Sequence, residues 1–246
     1  MIERSDRQRE SAFARVTESC FIDREEIPVA ALKDLPVGPF VGVVLANELL
    51  DNLPPRVVRK AAEGWLELHV ENGNEAWQPA ENSAATMAAS LAPKASPGTT
   101  LPLHVKGAVW INRAMKLLER GRILAFDYGV ENSEALLDRP LGEWLRTYRG
   151  HYRAGTPYAE PGTRDITCDV AFDQLPGSPR ISLQADWLVS QGIESMTQWA
   201  REQWRDAAAS PDSTAVAARQ VLDEADALTS QTGLGAFLVA EWQISD

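Results

Sequence analysis

The side chains that build metal and redox chemistry are scarce in this chain of 246 residues: two cysteines, Cys20 and Cys168, and three histidines. Two cysteines cannot form a disulfide framework. Their placement matches no zinc spacing either, so no metal site is expected and a reducing compartment is favoured. No stretch approaches the ~18 consecutive apolar residues of a membrane span. The opening MIERSDRQRE is charged from its third residue and lacks the apolar core of a signal peptide. The expectation is a cytoplasmic protein with no membrane partner. Positive charge is also short, with 24 Lys and Arg against 35 Asp and Glu and a net charge of −11. That balance argues against capture of a nucleic-acid backbone. A Gly-x-Ser-x-Gly elbow, a Walker loop and a His-Glu-x-x-His pair are all missing, which removes support for the chemistries they carry.

What is present is apolar substance in regular blocks. At 44% hydrophobic the chain can fill a sizeable core. MIE reads as the end of a strand. SDRQRESAFARV reads as a helix with Ser5 and Gln8 as a capping-box pair. FVGVVLA is a continuous apolar run of strand length, which predicts a strand covered on both faces, as in a parallel sheet. RVVRKAAEGWLELHV predicts a hairpin turning at Glu63-Gly64, and residues 79–100 a loose surface segment, partly helical. GAVWINRAMKLLERG places Ala108, Ile111, Met115 and Leu118 at helical spacing with Gly121 as its stop, followed by the strand RILAF. Further on come ISLQADWLVSQGI as strand then helix, SMTQWAREQWRDAAAS with Met196, Trp199, Ala200 and Trp204 on one stripe, a helix over 212–229, and the strand AFLVAEW. Trp110, Trp199 and Trp204 are expected in the core. Helices alternating with apolar strands define an α/β protein.

Two of those strands end in polar tips. VVLA runs into Asn47, Glu48 and Asp51; ILAF runs into Asp127, Tyr128 and Gly129. In open α/β sheets ligands sit outside the carboxyl ends of the strands, so neighbouring tips would form one acidic crevice. Alternatively Asn47 or Asp51 merely caps a turn and Asp127 starts a loop.

At these residues the chain resembles a known family. LANELLDNLPPRVV is similar to the strand-four motif of the MidA-like S-adenosylmethionine-dependent methyltransferases, a family that includes the mitochondrial complex I assembly factor that methylates an arginine of a partner subunit. ERSDRQRE resembles the segment after its strand two, GRILAFDYG its strand five, and TYRGHYRAGTPYAEPGTRDITCDVAFDQL its long signature; LQADWLVSQGI and TGLGAFLVAEW resemble its C-terminal part. The resemblance implies a class I methyltransferase, Rossmann-like α/β sheet as a single domain over 1–246, with helical and hairpin insertions around 56–106 and 130–180. It implies S-adenosyl-L-methionine as cofactor and a protein substrate, such as a respiratory-complex-type subunit. The family's first strand and glycine-rich loop would lie before residue 1. On that basis the chain is expected to be N-terminally truncated or rearranged, with the strands that carry Glu3 and Asn47 lacking their shared neighbour.

Carried over residue by residue, Glu3 resembles the acid that meets the cofactor ribose, or else decorates a helix start beside Ser5. Asn47, Asp127 and Tyr128 are the other cofactor-binding candidates. Asn47 and Glu48 stand at the methyl-group end of the family's cleft, where a carboxylate can hold a guanidinium bidentately. Asp51 acts likewise or caps the turn. His151 in the long signature is a proton shuttle or a structural group; Tyr148, Asp165 and Thr167 share that signature. Gly129 reads as a turn residue, and His69 and His104 as incidental. Where relatives carry an acid before the helix near Gly107, this chain has Pro102-Leu103-His104. Two functions follow: a methyltransferase acting on a protein side chain, with arginine foremost, or a non-catalytic relative that serves as a partner-binding module.

Overall fold

The parallel pairing of two apolar strands organises the molecule. In the computed structural model, which describes residues 1–19, 21–22, 25–26, 29–150, 152–158, 160–207 and 209–245, the strand Phe40–Asn47 lies beside Leu118–Asp127 with Val44 opposite Ile123 and Asn47 opposite Phe126. Leu238–Ile244 follows antiparallel, and Arg180–Leu183 closes the far edge, also antiparallel. The parallel sheet expected from the continuous apolar runs is therefore a mixed one, parallel at a single pair. Cys20 and His151 lie outside the described residues.

The helix Val105–Leu117 packs on this sheet and runs directly into its strand, because Leu118 already has extended backbone (φ −100°, ψ 123°). Its buried residues are Gly107, Ile111, Ala114 and Leu117, a face turned by one position from the predicted one. Gly121 does not stop this helix. It lies inside the strand at φ +144°, and a Cβ there would sit 1.8 Å from the Gly42 carbonyl oxygen. Val44, Ala46, Ile111, Ile123, Ala125, Phe172 and Trp242 form the shared core.

The Phe40–Asn47 strand is not covered on both faces among the described residues. Its burial alternates: Val44 and Ala46 are buried while Val41, Val43 and Leu45 are 58%, 59% and 64% exposed. Among the described residues it is also an edge strand, hydrogen-bonded on one side only. The expected end of a strand at MIE is reduced to one parallel bridge, Ile2 to Leu32, before the helix Asp6–Ser19.

A second four-stranded sheet and a three-stranded one flank this frame. Arg56–Ala61, Gly64–Glu71, Asn74–Pro79 and Thr100–Leu103 form an antiparallel sheet, the first hairpin turning where Glu63-Gly64 predicts. The helix Asn82–Leu91 packs on it through Ala84 and Ala88, small residues that let the two backbones approach. The 79–100 segment is thus core-forming rather than loose surface. Leu145–Arg149 pairs between Tyr152–Arg153 and Asp165–Cys168.

In the C-terminal helices Gln198–Ala207 and Ser213–Thr229, Ala200, Ala215 and Ala218 are buried, with Asp212 capping the second helix by accepting the Ala215 N–H at 2.8 Å. The predicted Met196–Trp199 stripe is exposed, since packing through alanines leaves the larger side chains outside. Trp110 and Trp204 are half-buried. No helix among the described residues is long and apolar enough to cross a membrane.

Candidate active site

Parallel pairing brings the two polar tips together at the same end of the sheet. The Glu48 N–H continues the ladder by donating to the Phe126 carbonyl at 2.9 Å, and Glu48 then turns the chain with φ +48°. A non-glycine residue in that region marks a constrained turn. Asn52 stitches it, its Nδ2 donating to the Glu48 carbonyl at 3.2 Å and to Asp51 Oδ1 at 2.7 Å.

Asp127 anchors the turn from below. Its carboxyl is fully buried and accepts the backbone N–H groups of Leu50 (2.9 Å) and Asp51 (3.2 Å) on Oδ2 and that of Tyr128 (3.1 Å) on Oδ1. Burial, and then the nearby Asp51 charge, push Asp127 up to about 8, against the pull of those three donors. It does not line the cleft; it positions residues that do.

The cleft itself, about 490 Å³, opens above this turn. Glu48, Asp51 and Asp165 supply carboxylates to its wall, Tyr128, Tyr148 and Phe237 aromatic surface, and Asn52, Thr167 and Arg146 the remaining polar groups. Asp51 is 3% exposed, and its Oδ2 accepts from the Tyr128 hydroxyl at 2.6 Å. Burial raises the Asp51 carboxyl, opposed by that hydroxyl and by Asn52. Tyr128 is raised in turn by burial and by its bond to Asp51.

The Tyr128 ring is clamped, with the Arg146 guanidinium 4.9 Å from its centroid and the Phe237 ring at 5.5 Å, inclined at 62°. Asp169 fixes Arg146 at 2.5 Å and also binds Arg139 at 2.9 Å.

The predicted residues separate in this frame. Glu48, Asp51, Tyr128, Tyr148, Asp165 and Thr167 converge on the cleft. Asn47 is exposed at the tip, with Nδ2 3.4 Å from Glu48 Oε1. Glu3 is not among the lining residues. Its Oε1 accepts the Ser5 N–H at 2.7 Å, the helix-start role that was its alternative. Gly129 is a pairing residue rather than a free turn, because a Cβ would lie 2.0 Å from the Val170 carbonyl oxygen. His104 is buried, its imidazole pushed down to about 4 by burial, and its backbone N–H donates to Gln174 Oε1 at 2.8 Å.

Arg146, Asn52 and Phe237 were not anticipated. Phe237 lies within the quoted TGLGAFLVAEW and Asn52 within LANELLDNLPPRVV, where a polar residue in a proline-bounded turn was a usable signal. Nothing local distinguishes Arg146 from the other arginines. Among the described residues no group of three or more His, Cys, Asp or Glu is arranged to hold a metal ion.

A sheet whose parallel strands end in an acidic, aromatic-walled cleft defines an α/β protein with its ligand crevice at the strand carboxyl ends. The chain belongs to the family described as "Putative S-adenosyl-L-methionine-dependent methyltransferase", whose model matches residues 1–189. The cofactor of that family is S-adenosyl-L-methionine.

Two solved structures from Burkholderia thailandensis share the fold. One, an uncharacterized protein, is 24% identical with a TM-score of 0.74, covering 99% of this chain and 65% of its own. The other, of the same superfamily and bound to S-adenosyl-homocysteine, is 25% identical with a TM-score of 0.75, covering 99% and 63%. The chain thus spans just under two-thirds of their length. No curated protein matches it. The fold is that of a Rossmann-like methyltransferase sheet with hairpin and helical additions.

Proposed function

We propose that the cleft supports methyl transfer from S-adenosyl-L-methionine to a nitrogen of a protein side chain, with arginine as the acceptor. The observation that carries this reading is the convergence of Glu48, Asp51 and Asp165 with Tyr128, Tyr148 and Phe237 around one cleft. Carboxylates complement a guanidinium bidentately, and aromatic faces attract a cation. The same lining suits the sulfonium of the cofactor, and the volume falls in the range of small-molecule sites.

Bound there, the cofactor supplies an electrophilic methyl group. Glu48, exposed at the tip beside Asn47, holds the guanidinium in this reading. Alignment of the acceptor nitrogen with the methyl carbon is the main catalytic demand. The resemblance to the MidA-like family supports a protein substrate in the cytoplasm, of the respiratory-subunit type. A second reading, a partner-binding module without catalysis, is favoured by one feature: the open edge at Val41, Val43 and Leu45.

The test is calorimetric titration of S-adenosyl-L-methionine into the chain. It is followed by transfer of labelled methyl to an array of arginine-containing peptides, with lysine-containing peptides as controls. Glu48→Gln is expected to abolish labelling while cofactor affinity stays within about threefold. Cofactor binding without labelling of any arginine peptide overturns the acceptor assignment. Failure to bind cofactor turns the reading to the partner-binding module.

A further inference from the structure

Three buried or partly buried groups stand in series under the cleft wall: Asp127, Asp51 and the Tyr128 hydroxyl. We infer that Asp51 accepts the proton released by methyl transfer, and that Tyr128 is a positioning residue that keeps Asp51 aimed and ionised. This rests on the methyltransferase reading and adds the route of the proton to it.

The geometry separates the three cleft carboxylates. Glu48 and Asp165 are exposed, and Glu48 meets only the Asn47 Nδ2 at 3.4 Å among the described side-chain donors. Asp51 is 3% exposed yet lines the cleft, and donors hold both of its oxygens, Asn52 Nδ2 on Oδ1 and the Tyr128 hydroxyl on Oδ2. Each carboxylate oxygen has a second lone pair, so two donors leave acceptor capacity directed to the cleft. Tyr128 cannot swing away, because Arg146 and Phe237 clamp its ring.

The other titratable or charged groups around Asp51 are Glu48 on its own turn, Asp127 at the adjacent strand end, Cys168, and Arg146 and Asp165 in the cleft wall. Buried neighbouring carboxyls do not both ionise readily. Asp127, the more deeply buried, is pushed up to about 8, while burial raises Asp51 against the Tyr128 hydroxyl and Asn52, which favour its charged form. In the step itself the acceptor nitrogen's electron pair forms the N–C bond. The S–C bond breaks with its pair returning to sulfur, and the nitrogen's proton passes to an oxygen of Asp51. Neither oxidant nor reductant is needed.

Tyr128→Phe keeps the ring and removes the hydroxyl. The Asp51 carboxyl, followed by carbon-13 NMR in the whole chain, is expected to titrate about 1 to 2 pH units higher in the variant. With the arginine peptide that labels best, the acid limb of the rate–pH profile moves up by the same interval. Below that limb the rate falls about 10- to 100-fold, while S-adenosyl-homocysteine affinity is unchanged.

If Tyr128→Phe does not fold, Asp51→Asn provides the converse measurement: the Tyr128 phenol, read by ultraviolet absorbance, should ionise at lower pH. An unmoved Asp51 titration, an unmoved phenol, or a loss of S-adenosyl-homocysteine binding in Tyr128→Phe overturns the pairing. An Asp51 shift in Tyr128→Phe together with a wild-type chain that labels no peptide overturns the methyltransferase reading, and the proton route with it.

Discussion

A single buried carboxyl sets the shape of the cleft. Asp127 holds three backbone N–H groups of the two strand ends. An aspartate ordinarily ionises near 3.8, whereas burial and the Asp51 charge place this one near 8. Between those values the folded state binds a proton that the unfolded state has lost. The stabilisation is therefore complete below pH 4 and is lost as pH rises toward 8, with a slope of at most about 1.4 kcal/mol per unit. Melting temperatures recorded from pH 5 to 8 should fall in the wild type and lie flatter in Asp127→Asn. An equal slope in both proteins removes Asp127 as the source. The amide should also lower the melting temperature throughout, because its NH2 faces a backbone donor in place of one of the carboxyl oxygens. That Asn47, Glu48, Asp51 and Asp127 cluster was legible in the sequence as two polar strand tips. Which of them is solvated and which is fully enclosed was not, because enclosure depends on the turn at Glu48 and the segments folded over it.

At the scale of elements, the strand pair Phe40–Asn47 and Leu118–Asp127 carries the site, and within it Gly42 pairs with Gly121. A side chain at Gly121 has no room and would also meet a backbone conformation L-residues rarely adopt. Gly121→Ala should abolish soluble folded protein, read by circular dichroism and expression. Gly142→Ala, with nothing within 4 Å of its Cβ, should melt within about 0.5 kcal/mol of wild type. A stable Gly121→Ala protein would mean that the two strands pair differently.

Both strands were visible as apolar runs. The role of Gly121 was misread as a helix stop, since a glycine after an amphipathic run is equally the mark of a C-terminus and of a close backbone crossing. The helix Asn82–Leu91 hid for a related reason. Alanine-rich sequence looks like surface until a sheet that accepts small side chains lies beneath it.

For the whole molecule, charge and the open edge oppose one another. At a net charge of −11 and an isoelectric point near 4.8, like-charge repulsion opposes association of copies at neutral pH. The Phe40–Asn47 edge, with Val41, Val43 and Leu45 exposed, invites pairing once that charge is titrated away. Light scattering should rise steeply as pH approaches 4.8. Leu45→Lys should reduce the rise while changing stability by no more than about 0.5 kcal/mol, its side chain being mostly in solvent. Unchanged scattering would place the association elsewhere, for instance at the exposed Met196 and Trp199.

Alternation of helices with apolar strands, read along the chain, determined an α/β protein, the two polar tips and the approximate places of the central strands and longer helices. These depend on interactions between residues near in sequence: helical spacing, turn residues, strand-length apolar runs. Only the tertiary structure decided that Glu3 stays at its helix start, that Asp127 lies beneath the cleft, and that Arg146, Asn52 and Phe237 help to line it. Phe237 stands 109 positions beyond Tyr128 and meets it because Leu238 pairs with Asp127 in the antiparallel ladder. Such a pairing is chosen by burial of the whole sheet, a property that no local stretch of sequence contains.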